Sequence, residues 1–141
     1  MLKQRPIWGI AIGLALAGVL AACSSLGGGL ALAGSEWTLV SLQGQPPLAG
    51  TTITLKFEPD TAGGASGCNS YGGPYMARGA RLTFTDVAAT AMACLDPAGV
   101  MEQEAAYLQA LSQAAGYRAT DDRLEIQDAA GETILVFSRR A

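Results

Sequence analysis

From Glu36 onward, apolar and polar residues alternate in short runs separated by Gly, Pro and Asp, the two-residue period of strands with one face buried. Trp37 to Leu42 turns Trp37, Leu39 and Ser41 to one side and ends at the turn-forming Gln43-Gly44-Gln45-Pro46-Pro47. Thr51 to Phe57 alternates cleanly, with Ile53, Leu55 and Phe57 inward. Arg81–Phe84, Leu124–Ile126 and Thr133–Phe137 repeat the pattern, and residues 127–132 form a loop joining the last two as a hairpin. Arg139-Arg140 reads as a solvated tail.

One segment departs from this period. Asp96-Pro97 offers a helix N-cap and first-turn proline, and Val100 to Ala115 then places Met101, Ala105, Leu108, Leu111 and Ala115 at helical spacing. Glu102 and Glu104 fall in the early turns, where the helix dipole favours negative charge, and Gly116 is the expected stop. Several antiparallel strands and one helix predict an α+β domain, a small curled antiparallel sheet or open β-barrel with the helix packed on it.

The front of the chain obeys a different rule. Lys3 and Arg5 precede sixteen uncharged residues, Ile7–Ala22, which end in Leu20-Ala21-Ala22-Cys23. Basic start, apolar run and small-residue end make residues 1–22 a secretory signal, and the run is short of the about 20 residues of a spanning helix. The last four residues resemble the lipobox of bacterial lipoproteins, which implies diacylglyceryl modification of Cys23, cleavage before it and acylation of the new amino terminus. Two or three acyl chains hold a protein on a bilayer essentially permanently, where one holds only marginally. Residues 23–34 then comprise the lipidated cysteine and a Gly-rich tether, leaving 35–138 as the domain. Ser24 resembles the sorting mark for the outer membrane. The expected location is therefore the cell envelope: the periplasmic side of an outer membrane where the host has one, otherwise the outer face of the plasma membrane.

Composition narrows the chemistry. The chain has no histidine, which excludes Ser-His-Asp and Cys-His nucleophile sites and histidine-ligated zinc. Without residues 1–22 it carries 7 basic and 12 acidic side chains, and this net charge of −5 argues against binding of nucleic acid or anionic lipid by the domain. Acyl chains on Cys23 would make the membrane contact. Assigning Cys23 to lipid leaves Cys68 and Cys94 as one pair in an oxidising compartment, where a disulfide is the default and two buried thiols the alternative.

Gly63 to Tyr75 is the most distinctive stretch. As a phosphate loop it fails, because no lysine follows the glycines and no helix opens there. As structure, its glycines suit tight turns or bulges, and Asn69 can tie neighbouring backbone groups. Gly67-Cys68-Asn69-x-Tyr71-x-Gly73-x-Tyr75, Thr90-x-Met92-Ala93-Cys94 and Met101-x-x-Glu104-x-x-Tyr107-x-x-x-Leu111 together resemble the META (HslJ-like) domain family. Trp37, Phe57, Leu124-x-Ile126 and Leu135-x-Phe137 extend the resemblance over about residues 35–138. It implies a strand-rich domain with one helix, found in envelope lipoproteins linked to stress or drug tolerance, and it brings no catalytic residues.

The function expected is therefore a non-enzymatic, membrane-tethered interaction or binding domain, monomeric and without a cofactor or metal, with an envelope protein as a possible partner. The alternative is a pilotin-like secretion chaperone whose groove accepts a lipid tail or partner peptide. An enzyme would have to rely on carboxylates such as Asp86, Asp96 or Glu104, and no spacing fixes two of them at a glycosidase separation. Asp121-Asp122 lacks the alternating ligands of a calcium loop. A bridge closing about 27 residues is worth roughly 3.5 kcal/mol. Cys68→Ala or Cys94→Ala should accordingly lower the melting temperature by about 10 °C or more, read by circular dichroism. A variant that melts with the parent yet loses a cellular phenotype would give the pair a role other than bracing.

Overall fold

The computed structural model describes residues 31–141. The expected signal segment 1–22, Cys23 and the first part of the tether lie outside the described residues. Nine strands and one helix follow in order: β1 Glu36–Leu42, β2 Thr54–Phe57, β3 Thr61–Ala65, β4 Ser70–Arg78, β5 Arg81–Phe84, β6 Ala88–Ala89, α1 Val100–Ser112, β7 Gly116–Ala119, β8 Arg123–Gln127 and β9 Thr133–Arg139.

All pairings are antiparallel and run β3-β2-β1-β9-β8-β7-β5-β4, and β4 then pairs back onto β3. The ring is closed. β6 lies on the same edge of β4 as β5: Tyr75↔Phe84 continues as Gly72↔Ala88 and Tyr71↔Ala89 after an irregular step. The domain is thus a closed eight-stranded barrel with one short helix, mostly β at 45% strand and 12% helix, and the expectation of an α+β curled or open sheet is corrected. The physical cause is the β3–β4 hairpin. Its strands contain Gly63, Gly64, Gly72 and Gly73, which show no alternation of side chains, yet five residue pairs from Thr61↔Pro74 to Ala65↔Ser70 close the circle.

The expected strands otherwise appear where alternation placed them. Trp37, Leu39, Ile53, Leu55, Phe57, Leu82, Phe84, Leu124, Ile126, Leu135 and Phe137 are all buried, while Ser41 is only half-buried beyond an irregularity in the β1–β9 register. Leu32 and Ser35 are buried too, and Gly34 N–H donates to the Phe57 carbonyl at 2.7 Å, so the last residues of the expected tether pack onto the barrel. Arg139 belongs to β9, and its guanidinium lies 5.1 Å from the Trp37 ring centre. Arg140 pairs with Glu36 at 3.0 Å, so the Arg139-Arg140 end is anchored rather than a free tail.

The helix begins after Gly99, at φ 87°, rather than at an Asp96 cap, and it stops at Ser112. Its inward face is Val100, Gln103, Glu104, Tyr107, Ala110 and Leu111, displaced from the expected stripe because two of its members are polar. Tyr107 stands edge-on to Tyr71 at 5.4 Å and to Phe137 at 6.5 Å. Gln103 holds the 48–51 loop, accepting from Leu48 N–H at 2.6 Å and donating to Thr51 Oγ1 at 3.0 Å.

Gly64 is required by contact: a Cβ there would lie 2.3 Å from the Thr54 carbonyl oxygen. Gly64→Ala should cost about 3 kcal/mol or more in urea unfolding because backbone has to move. Gly72→Ala, whose Cβ would meet nothing nearer than 3.6 Å, should stay within about 1 kcal/mol. Equal effects would refute the close approach of β2 and β3 as the reason for glycine.

Candidate functional site

The β3–β4 turn and α1 meet at one carboxylate, and the segment after β6 joins them through Asn69. Glu104 Oε2 accepts from Ser66 Oγ at 2.6 Å, Asn69 N–H at 2.7 Å and Cys68 N–H at 3.2 Å. Its Oε1 accepts from Asn69 Nδ2 at 2.6 Å. The residue is only 5% exposed, and burial alone would push its carboxyl pKa up. The hydrogen bonds from Ser66, Asn69 and Cys68 outweigh burial and hold it below its ordinary value.

Asn69 carries the network outward. Its Oδ1 accepts from Met92 N–H at 2.7 Å and Thr90 Oγ1 at 2.8 Å, while Nδ2 also donates to the Met92 carbonyl at 3.0 Å. All four hydrogen-bonding positions of the amide are used. Thr90 Oγ1 further accepts from Ser70 N–H at 3.2 Å. The chain can reverse between β3 and β4 because Gly67 sits at φ 111°, a region that side chains oppose. Beside this turn Cys68 and Cys94 form the expected disulfide, with Cα atoms 5.9 Å apart, and Cys94 N–H meets the Met101 sulfur at 3.4 Å.

These restraints hold a surface loop. From Val87 to Leu95 there is no charged residue, and Ala88, Ala89, Thr90, Ala91, Met92, Ala93 and Leu95 are all exposed, Leu95 to 92%. An uncharged, exposed segment bound to the core by a disulfide and the side chain of Asn69 is a rigid apolar projection.

The sequence motif therefore divides in two. Gly67, Cys68, Asn69, Thr90, Met92, Cys94 and Glu104 converge on this knot, while Ala93 stands exposed in the loop they brace. Tyr71 and Gly73 lie along β4 instead. The Tyr71 hydroxyl donates to the Thr54 carbonyl at 2.7 Å and lies 2.5 Å from the Tyr107 hydroxyl, and burial raises both phenol pKa values. Gly73 pairs with Ala62. Ser66, Gln103 and Leu95 were not singled out by sequence: a lone serine or glutamine gives no sign of its partner, and an exposed leucine obeys no period. Glu104, a candidate acid by sequence, spends its oxygens on four donors, and Asp86 and Asp96 are exposed and do not hydrogen-bond to it. Among the described residues no group of three acidic or cysteine side chains is placed to hold a metal.

The META domain family model matches residues 30–141. The chain belongs to the META domain family. This family is not a known enzyme family. An NMR structure of a protein from Burkholderia xenovorans is 30% identical, with a TM-score of 0.63 over 78% of this chain and 84% of that one. A second NMR structure, 22% identical, superposes with a TM-score of 0.61 over 76% of this chain and 90% of the other, and shows likeness of fold. Comparison with curated proteins found no match.

Because the carboxyl pKa of Glu104 is lower folded than unfolded, its contribution is complete above the ordinary carboxyl range and is lost as pH falls through the folded value. Glu104→Gln should destabilise the META domain by about 2–3 kcal/mol at neutral pH, and the gap to the parent should narrow progressively as pH falls below about 5. A gap of constant size across that range would show that the charge of Glu104 is not what holds the knot.

Proposed function

We propose that this protein is a non-enzymatic envelope lipoprotein whose barrel presents the 88–95 loop to a partner protein near the membrane, in support of tolerance to envelope stress or drugs. The observation that carries this reading is the pairing of an exposed apolar loop with a buried network that immobilises it. A loop held in one conformation loses little entropy on docking, which favours recognition by shape. The Leu20-Ala21-Ala22-Cys23 sequence supports acyl anchoring at Cys23. The family match supports the META domain and is silent on the anchor, the stress role and the partner.

The chaperone alternative needs a groove for a lipid tail or partner peptide, and the barrel interior does not supply one. Trp37, Phe57, Tyr107 and Phe137, each 1% exposed or less, occupy the core, so an occupant would have to displace them. The docking reading needs no such rearrangement.

Photo-crosslinking in the native envelope tests it. With a reactive residue at position 92 or 95, one dominant protein adduct is expected, absent when the probe stands at Glu132 and reduced by Cys23→Ser. Labelled palmitate should enter the parent and not the Cys23→Ser chain. Equal adduct patterns from positions 95 and 132 would remove the loop from consideration, and palmitate in the serine variant would remove the anchor site.

A further inference from the structure

The net charge of the domain hides an uneven distribution. Residues 31–36, the β2–β3 turn, the β4–β5 turn, the β7–β8 turn and the end of β9 gather at one end of the barrel. All seven basic residues of the described chain, Lys56, Arg78, Arg81, Arg118, Arg123, Arg139 and Arg140, belong to that half, together with the acids Glu36, Glu58, Asp60, Asp121, Asp122 and Glu125, for a net charge of +1. The other half holds Asp86, Asp96, Glu102, Glu104, Asp128 and Glu132 and no cation.

Four of the seven are engaged. Lys56 pairs with Glu58, Arg123 with Glu125 and Arg140 with Glu36, while Arg139 lies over Trp37. Among the described residues, Arg78, Arg81 and Arg118 have no carboxylate within ion-pair distance. They are also neighbours. Arg78 and Arg81 face each other across the β4–β5 pair, and Arg81 is opposite Gly116, two residues from Arg118 on the same outward face of β7. Like charges directly opposite on a sheet destabilise it unless an anion lies between them. A hollow of about 300 Å³ is bordered there by Met76, Arg78, Arg81, Thr83 and Ala115, and Met76 is 67% exposed.

The position of this rim points to its occupant. Met76 and Gly79 also border a second cleft, of about 480 Å³, whose other side is Ala31, Leu32 and Ala33. Through Met76 the rim therefore adjoins the cleft where the chain arrives from Cys23, eight residues before Ala31. Eight residues span at most about 28 Å. Asp60 stands across the same cleft without pairing to any of the three arginines.

We propose that Arg78, Arg81 and Arg118 bind the phosphates of anionic phospholipid headgroups, with Met76 entering the interface, so that the barrel stands end-on to the bilayer. This orientation rests on the Cys23 anchor of the preceding reading, whereas headgroup binding by the arginines does not require acylation. Anionic surfaces attract the rim and repel the opposite, acidic half, so attraction and repulsion select one pose. β4 then separates the arginine rim from the 88–95 loop, because Tyr71 and Gly72 pair with Ala89 and Ala88 at one end and Arg78 ends the strand at the other.

The test uses the full chain carrying Cys23→Ser, to remove acyl chains, with vesicles of phosphatidylcholine alone or with added phosphatidylglycerol. The readout is the ratio of partition into the two, which cancels apolar insertion common to both. The ratio should fall about fivefold for each arginine replaced in Arg78→Gln, Arg81→Gln and Arg118→Gln, with melting unchanged, and recover in the corresponding lysine variants. Inorganic phosphate alone should give no saturable shift of the amides at 76–83. A ratio unaffected by the triple glutamine change overturns the proposal, and saturation by inorganic phosphate with no gain from vesicles makes the rim a free-phosphate site instead. Failure of palmitate labelling with the vesicle ratio intact would fell the anchor and leave the rim standing.

Discussion

Glu104 is the point at which the irregular parts of this protein are fastened to the regular one. A buried carboxylate is costly unless its oxygens are filled, and here the donors come from the β3–β4 turn, whose own amide side chain continues to Met92 and Thr90. The helix, the turn and the apolar loop thus share one electrostatic centre, and none is fixed independently of the others. The Cys68–Cys94 bridge joins two of the same three pieces by covalent means. The disulfide chiefly limits the unfolded chain, whereas the carboxylate orients the folded one.

The barrel on which this centre rests is made possible by residues that lack side chains. Gly63 and Gly64 let β3 approach β2 and β4 closely enough for the ring to close, and the aromatic and aliphatic residues of the other strands fill the interior. Closure removes both sheet edges and with them the usual route to strand-to-strand aggregation. The exposed apolar loop is the exception left on the surface, and the disulfide keeps it from serving as a free edge.

What could be read in the sequence followed from side-chain contrast. Thr54–Phe57 announces itself because apolar residues alternate with polar ones, and Thr133–Arg139 because Ile134 to Phe137 is a short unbroken run of β-branched, aliphatic and aromatic residues. Thr61–Ala65 and the first half of Ser70–Arg78 have too little contrast to register as strands, and those segments decide between an open sheet and a closed barrel. The helix was legible in position and misplaced in phase, since Gln103 and Glu104 look like solvent-facing residues until their partners 35 to 55 positions away are known. Of the candidate site, the cysteine pair and Asn69 stood out by type and spacing. The loop they hold did not, because exposure is a property of the fold, and neither did the arginine rim, whose members lie on three different strands.

The ring contains one further constraint, in the order of its strands. β1 pairs with β9, with Trp37 opposite Arg139, and Arg140 N–H donates to the Glu36 carbonyl at 2.8 Å. The first strand therefore waits for the last, and no barrel exists until nearly the whole chain is free to fold. Such distant contacts make folding slow compared with a helical bundle of the same length. A growing chain can pair its first hydrophobic strand with β2 but keeps the other edge of that strand open throughout synthesis, so this architecture postpones its own closure until the chain is complete.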